Sequence, residues 1–269
     1  MKSFLTRLLS GIILVALIFA TCWYGGGLLW LFLLLIGYIG QMEFYKVFGI
    51  QDKSPGFAGY LGTALWMMGV HVASGGGLTA KTEGMWLILM VVFLLIMAVY
   101  VFTFPKYDTQ QIMAAFFGIV YVPVMLSFIY QTRMLESGLQ LVWLIFFCSW
   151  GCDTFAYCTG MLLGKHKLAP VLSPKKSIEG AVGGVAGAAL LGAVYAGIMT
   201  APVLEYALIC AVGAVASQIG DLAASAIKRQ HGIKDYGRLI PGHGGILDRF
   251  DSVIVTAPMI YILAVALIG

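Results

Sequence analysis

Charged side chains are scarce in this sequence. Only 10% of its 269 residues are Asp, Glu, Lys or Arg, whereas 61% are hydrophobic. This composition excludes a water-soluble globular protein, because such a protein needs a far more polar surface. A membrane span needs about 20 largely apolar residues, so the length provides for roughly eight to ten spans with short loops. No long hydrophilic stretch interrupts them, which predicts a single membrane domain over residues 1–269.

Cysteine pairs of the Cys-x-x-Cys type are also absent. The five cysteines lie in or beside apolar segments, so we interpret them as small buried hydrophobic residues rather than as metal ligands or disulfide partners. No two histidines have the spacing of a metalloprotease site. A P-loop is excluded as well, because the stretch from Gly160 to Lys165 is one residue too short and His166 stands where Ser or Thr is required.

Continuous apolar runs, separated by polar residues, glycine or proline, are the dominant pattern of the chain. They predict an all-α, polytopic integral membrane protein with about nine transmembrane helices. These helices are expected at residues 4–22, 27–45, 56–74, 85–104, 110–130, 138–162, 178–199, 203–227 and 252–268. The chain therefore divides into N-terminal helices of unassigned role (1–135), a candidate catalytic region (138–251) and a last transmembrane helix (252–268).

The basic residues are distributed unevenly between the predicted loops. With a cytoplasmic N-terminus, all of the 16 Lys and Arg residues except Lys81 and Arg133 lie on the cytoplasmic side. This is the bias that the positive-inside rule requires. Lys2 and Arg7 before an apolar run are also typical of a signal peptide, but further spans follow at once and favour a retained first helix. We therefore expect a multi-pass protein of the cell membrane (the inner or plasma membrane) with its active site facing the cytoplasm.

Two aspartates fall inside predicted spans. An Asp near the centre of a span costs about 2.5 to 3.5 kcal/mol on insertion scales, so such residues are typical of functional sites. Asp153 shares a helical face with Tyr157, four residues on. Asp221 belongs to a polar stripe on the eighth predicted helix, formed by Ser217, Asp221, Ser225 and Lys228. At 1.5 Å per residue, Asp221 lies about 10 Å from Lys228 along the helix axis, at the depth of a lipid headgroup. A purely structural role for either acid, such as pairing with a lysine, stays open.

The segment that follows this stripe combines acids, bases and glycines. Gly242 to Gly245 is a run whose backbone amides can approach an anion closely. Asp248, Arg249 and Asp251 come next. Carboxylates that bind Mg²⁺ beside basic side chains that bind phosphate are typical of phosphoryl or nucleotidyl transfer. The alternative is a basic loop that only sets the topology, but its acids and glycines contribute nothing to that.

A second candidate phosphate site precedes the seventh predicted helix. It contains Ser173, Lys175, Lys176 and Ser177, and helix N-termini favour anions. The helix itself begins with two interleaved Gly-x-x-x-Gly pairs within residues 180–187. We interpret these as sites of close helix packing, which is also compatible with a homodimer.

The stretch from residue 225 to 251 resembles the signature of the phosphatidate cytidylyltransferase family, also called CDP-diacylglycerol synthases. It supplies every fixed position of that signature, namely Ser225, Lys228, Arg229, Lys234, Asp235, Gly237, Pro241, His243, Gly244, Gly245, Asp248, Arg249 and Asp251. The region from Asp153 to Gly180 is also similar to the central part of the family, with Ser177 where Thr is more frequent. The resemblance covers roughly residues 148 to 251.

The resemblance implies transfer of CMP from CTP to phosphatidic acid, with release of pyrophosphate and a requirement for Mg²⁺. The expected catalytic residues are Asp221, Asp248, Asp251, Lys228, Arg229 and Arg249, of which the three aspartates are the expected ligands of one or two cations. The expected substrate-binding residues are Ser173, Lys175, Lys176, Ser177, Ser225, His243, Gly244, Gly245 and Asp153. The partners are then CTP, phosphatidic acid and membrane lipid, and no nucleic acid.

Three other functions fit parts of the sequence. A CDP-alcohol phosphotransferase also acts on activated lipid headgroups, but its Asp-Gly and Ala-Arg motif is missing. A polyprenol kinase would use CTP and leave a phosphate on the lipid. A transporter could use Asp153 and Asp221 to carry protons or cations, but it has no need of the glycine-rich basic loop.

Overall fold

The computed structural model describes residues 2–74, 79–240, 242 and 244–268. These residues are mostly helical. The helices are α1 (Lys2–Tyr24), α2 (Gly26–Val47), α3 (Ser54–Ser74), α4 (Thr79–Thr103), α5 (Thr109–Ile119), α6 (Met125–Arg133), α7 (Gly138–Phe146), α8 (Cys152–Leu163), α9 (Ile178–Met199), α10 (Val203–Gln230) and α11 (Leu247–Leu267). Two short strands, β1 (Lys167–Ala169) and β2 (Ser173–Ser177), precede α9.

Two π-helical turns join pairs of these helices into longer ones. Val120–Val124 connects α5 to α6 and contains Pro123, and Phe147–Gly151 connects α7 to α8. Proline lacks an amide hydrogen and clashes with the preceding turn, so a local change in helical pitch is a common way to accommodate it. With these junctions, each of the predicted apolar runs corresponds to one continuous helical segment.

The polytopic membrane character is clear from the length and composition of these segments. Seven are long and apolar enough to cross a membrane, namely Gly26–Val47, Gly84–Thr103, Thr109–Arg133, Gly138–Leu163, Ile178–Met199, Val203–Gln230 and Leu247–Leu267. A shorter apolar helix covers Leu9–Tyr24. The full count of nine spans and the cytoplasmic N-terminus stay predictions.

The chain packs as two compact units. The first contains Met1–Met134 and Asp235–Arg249, and the second contains Leu135–Lys234 and Phe250–Gly269. In the first unit, Tyr45 of α2 is fully buried; its hydroxyl donates to the carbonyl of Ala115 and accepts from Gln41 Nε2 at 2.8 Å. In the second unit, α8, α9 and α10 pack closely together. Helix α11 belongs to the first unit up to Arg249 and to the second from Phe250.

The glycines at the start of α9 hold that helix against α8. A Cβ on Gly180 would lie 2.7 Å from the carbonyl oxygen of Ala156, and one on Gly184 would lie 2.9 Å from that of Cys152. The prediction of tight packing by the Gly-x-x-x-Gly pairs is confirmed. Since these glycines face a helix of the same chain, they provide no support for a homodimer, which stays a prediction.

Gly187→Ala is expected to lower the melting temperature of the detergent-solubilised protein. The new methyl group would lie 2.6 Å from Phe155 Cβ, which the backbone of α8 holds in place. Overpacking of this kind typically costs about 1–3 kcal/mol. Gly197→Ala is the matched control on the same helix, because no neighbouring atom lies within 4 Å of its Cβ position. Equal losses in the two variants would contradict the packing role of Gly187.

The hairpin of β1 and β2 is the departure from the all-α prediction. The two strands are antiparallel, with Lys167 opposite Ser177 and Ala169 opposite Ser173. Strand β2 reads Ser-Pro-Lys-Lys-Ser and has no apolar alternation, which explains why the sequence pattern predicts only a loop here. The hairpin leads directly into α9, whose first turn is capped by Ser177: its Oγ accepts from the amide of Gly180 at 3.1 Å.

Candidate active site

The polar stripe predicted on the eighth helix lies on an inward-facing side of α10. Ser217 is fully buried and Lys228 is only 9% exposed, while Asp221 and Ser225 are half-buried. The hydroxyl of Ser217 has no hydrogen-bond partner within the part of the chain that the structure describes. A row of polar side chains inside an apolar helix bundle costs free energy of insertion, so such a row is typical of a functional site.

Lys176 of β2 forms an ion pair with Asp221 of α10. The ammonium group contacts Asp221 Oδ2 directly, and Ser225 Oγ donates to Asp221 Oδ1 at 3.5 Å. The Lys176 and Asp221 side chains are 27% and 25% exposed, so the pair remains accessible to solutes. The structure thus brings the predicted phosphate-binding segment to the predicted metal ligand on α10.

A second ion pair joins Lys228 to Asp251, near the start of α11. Lys228 Nζ lies 3.7 Å from Asp251 Oδ2, and the two side chains are only 11% and 13% exposed. Asp251 also lies within electrostatic reach of Asp221 and Asp153. The second unit therefore concentrates three carboxylates and two ammonium groups around one end of α10.

This set of groups fits a hard divalent cation and phosphate oxygens. Carboxylate oxygens are ligands that Mg²⁺ prefers, and Mg²⁺ usually takes one or two of them together with waters and substrate phosphates. No group of three or more His, Cys, Asp or Glu side chains at metal-binding distances occurs among the described residues.

Asp248 lies in the first unit, at the start of α11, and is 6% exposed. Its Oδ2 accepts hydrogen bonds from the amides of Tyr236, at 2.8 Å, and Gly245, at 3.0 Å. Gly244 has a φ of +85° and its carbonyl accepts from the amide of Ile240 at 2.9 Å, which closes a tight loop. The acid predicted as a metal ligand is thus also the centre of a folded glycine-rich loop.

The loop changes the interpretation of Gly245. The amide of Gly245 donates to Asp248, so it is directed at a protein carboxylate and not at a phosphate, as the sequence suggested. A phosphate contact by Gly244 stays a prediction. His243 and Pro241, both positions of the family signature, lie outside the described residues.

Glu43 of α2 is a buried acid that the sequence analysis missed. It is 5% exposed, its Oε1 accepts from the amide of Ile246 at 3.2 Å, and its Oε2 accepts from the amide of Leu247 at 2.9 Å. The signal was present, because Glu43 interrupts an apolar run just as Asp153 and Asp221 do. Applying the argument about intramembrane acids to the first five helices would have found it.

The remaining predicted residues occupy varied positions. Arg229 is exposed, and its Nη1 donates to the carbonyl of Ile233 at 3.3 Å, across the turn after α10. Lys175 is exposed on β2, and Ser173 is half-buried there. The buried Nε of Arg249 has no hydrogen-bond partner among the residues described. Asp153 is exposed on α8.

Comparison with known proteins covers nearly the whole chain. The model of the cytidylyltransferase family matches residues 5–267. A phosphatidate cytidylyltransferase of Staphylococcus saprophyticus is 32% identical over 263 residues, which cover 96% of this chain and 98% of the relative. One from Staphylococcus epidermidis is 32% identical over 268 residues, 96% of this chain and 98% of the relative.

Another relative matches a shorter part of the chain at higher identity. A phosphatidate cytidylyltransferase of Staphylococcus aureus is 40% identical over 150 residues, 55% of this chain and 57% of the relative. The family match also extends well beyond residues 148 to 251, on which the sequence signature depends. The chain is a nucleotidyltransferase, and it belongs to the cytidylyltransferase family, in which its matched relatives are phosphatidate cytidylyltransferases.

Proposed function

We propose that this protein transfers CMP from CTP to the phosphate of phosphatidic acid, forming CDP-diacylglycerol and pyrophosphate. The observation that carries the proposal is the ion pair between Lys176 and Asp221. It places a basic hairpin, suited to nucleotide phosphates, beside an acid within a membrane helix. A site of this kind suits a reaction in which one substrate comes from water and the other from lipid.

The reaction needs no nucleophile from the protein. An oxygen of the lipid phosphate attacks the α-phosphorus of CTP, the bond between the α- and β-phosphates breaks, and pyrophosphate leaves with the bonding electrons. The principal requirement is to offset negative charge on the incoming phosphate, the α-phosphate and the leaving group. Lys176 and Lys228 can exchange their carboxylate partners for phosphate oxygens, and Lys175 is a further base on the same hairpin. Arg249 is proposed as another base from the sequence signature alone.

Asp221, Asp248 and Asp251 are proposed, from the sequence signature, as the ligands of one or two Mg²⁺ ions. When bound, Mg²⁺ supplies positive charge that screens the phosphate oxygens and the leaving pyrophosphate. The donor chemistry supports this proposal, since hard oxygen ligands suit Mg²⁺. The cytoplasmic location of the site is proposed from the distribution of Lys and Arg between the loops.

One labelling experiment separates this function from its alternatives. Membranes that contain the protein are mixed with phosphatidic acid, Mg²⁺ and CTP labelled in the base, the α-phosphate or the γ-phosphate. Base and α label should enter the lipid, while the γ label stays in pyrophosphate. Incorporation of γ label would indicate a kinase, and absence of all label from the lipid would contradict nucleotidyl transfer.

Lys176→Ala is expected to lower kcat/KM for CTP or phosphatidic acid by about 10- to 100-fold, since hydrogen bonds to charged groups contribute about 1.5–3 kcal/mol. The effect should be larger on KM than on kcat, because the ammonium group mainly binds phosphate. Lys53→Ala, an exposed lysine of the first unit, is the matched control and should behave as wild type. An unchanged kcat/KM in Lys176→Ala would remove this residue from the site.

A further inference from the structure

We propose that Glu43 of α2 is a positioning residue for Asp248: its carboxylate fixes both the first turn of α11 and the glycine-rich loop, and thereby the direction in which Asp248 points. The inference deepens the proposed function, since it assumes that Asp248 takes part in the reaction. It also gives a role to one of the N-terminal helices, for which the sequence suggested none.

Glu43 caps the N-terminus of α11. The amides at the start of a helix have no partner within the helix and are satisfied by nearby acceptors. Here each carboxylate oxygen of Glu43 accepts one hydrogen bond, Oε1 from the amide of Ile246 and Oε2 from the amide of Leu247. The helix dipole also favours a negative charge at this end. Because Asp248 is the second residue of α11, an acid more than 200 positions away holds the turn that carries it.

The glycine-rich loop encloses the Glu43 carboxylate at Gly237 and Gly245. A Cβ on Gly237 or on Gly245 would lie 2.5 Å from Glu43 Cδ, so only glycine allows the backbone to approach the carboxylate from both sides. The same loop donates the amides of Tyr236 and Gly245 to Asp248. The backbone at Tyr236, Gly237 and Gly245 therefore lies against the two carboxylates, and a change at Glu43 must alter the surroundings of Asp248.

Burial of two neighbouring carboxylates costs free energy. Glu43 and Asp248 are 5% and 6% exposed and lie within electrostatic reach of one another. Buried carboxylates are costly unless hydrogen bonds or opposite charges compensate them. The four backbone amides and the nearby Lys46 provide that compensation. An apolar side chain could fill the same space but would leave the amides of Ile246 and Leu247 without acceptors, which points to a role in orientation.

Glu43→Gln is the most direct test, because it preserves size and removes one acceptor. The amide group of Gln would face a backbone N–H, so one of the two caps is lost. We expect kcat to fall by about 10- to 100-fold, the range observed when a supporting residue behind a metal ligand is changed. The Mg²⁺ concentration needed for half-maximal rate should rise. Glu136→Gln, an exposed acid between α6 and α7, is the control and should have no effect.

Two further measurements distinguish positioning from a general role in folding. Hydrogen exchange of the full-length protein, followed by mass spectrometry, should accelerate in Glu43→Gln within residues 236–250 and stay unchanged in α9 and α10. The double variant Glu43→Gln/Asp248→Asn should lose no more turnover than Asp248→Asn alone, since Glu43 acts through Asp248. Glu43→Asp, which keeps the charge on a shorter side chain, should restore part of the turnover and serves as the test if Glu43→Gln does not fold.

The outcomes separate this inference from the proposed function. If the wild-type protein transfers no α label to lipid, the proposed function fails, whatever the variants do. If the wild type is active but the two substitutions act independently, or exchange increases throughout the protein, the positioning role of Glu43 is wrong. Faster hydrogen exchange confined to residues 236–250, together with a non-additive loss of turnover in the double variant, supports the positioning role of Glu43.

Discussion

Asp221→Asn is expected to lower the rate of CMP transfer by more than about 100-fold, the range that one electrostatic group at a reacting centre can carry. Asn has nearly the same size and can still accept from Ser225, so the helix should stay intact. The substitution removes the charge that pairs with Lys176 and that is proposed to hold Mg²⁺. Lys176 would then lack its counter-ion, and the cation would lose a ligand.

The measurement is the initial rate of α label transfer to lipid, normalised to the amount of folded protein in the membranes. Asp52→Asn, an exposed acid before α3, is the matched control for loss of one negative charge. The initial rate of the wild type should rise with the Mg²⁺ concentration. The rate of Asp221→Asn should stay low even when Mg²⁺ is saturating. Near-normal turnover in Asp221→Asn would exclude this residue from the metal site and leave it with the structural role of pairing Lys176.

The sequence predicts the helical framework well, because long apolar runs admit few alternatives. Each predicted run corresponds to a helical segment, but α4 begins at Thr79 rather than 85 and α11 at Leu247 rather than 252, so Asp248 and Asp251 lie in a helix and not in the preceding loop. The π-helical turn around Pro123 is not visible in the pattern, since the apolar run continues through it. The hairpin of β1 and β2 is equally hidden, because its register depends on contacts with neighbouring helices rather than on its own alternation.

Within the site, local periodicity predicts what lies on one helix but not what approaches it. The stripe on α10 follows from the spacing of Ser217, Asp221, Ser225 and Lys228 alone. The contact between Lys176 and Asp221 joins a strand and a helix 45 positions apart, so no local periodicity predicts it. The partner of the Gly245 amide could not be foreseen, since a glycine-rich run shows that an anion can approach but not which anion does.

Glu43 illustrates the same limit at a longer range. Its contacts with Ile246 and Leu247 span more than 200 residues, and no sequence period connects them. Gly237 and Gly245 are positions of the family signature, and the motif alone is compatible with a purely phosphate-binding loop. The structure gives these two glycines another reason to be small, because each lies against the Glu43 carboxylate.

Asp248 combines a proposed catalytic role with a structural one, and two substitutions are expected to separate them. Asp248→Asn retains an oxygen that can accept from Tyr236 and Gly245, so the loop should keep its fold while turnover falls by more than about 100-fold. Asp248→Ala removes the acceptor as well. It should show at least the same loss of turnover and, in addition, leave two buried amides unsatisfied, at a cost of about 1–3 kcal/mol each.

The comparison is made by thermal unfolding in detergent and by hydrogen exchange of residues 236–250, alongside the rate of α label transfer. Asp248→Asn should melt close to wild type and Asp248→Ala at a lower temperature, with faster exchange confined to the loop. If Asp248→Asn keeps near-normal turnover, Asp248 is only a loop acceptor and the proposed metal site loses one ligand. If both variants melt like wild type, the amides of Tyr236 and Gly245 find other partners, and the link from Glu43 through the loop to Asp248 is weakened with them.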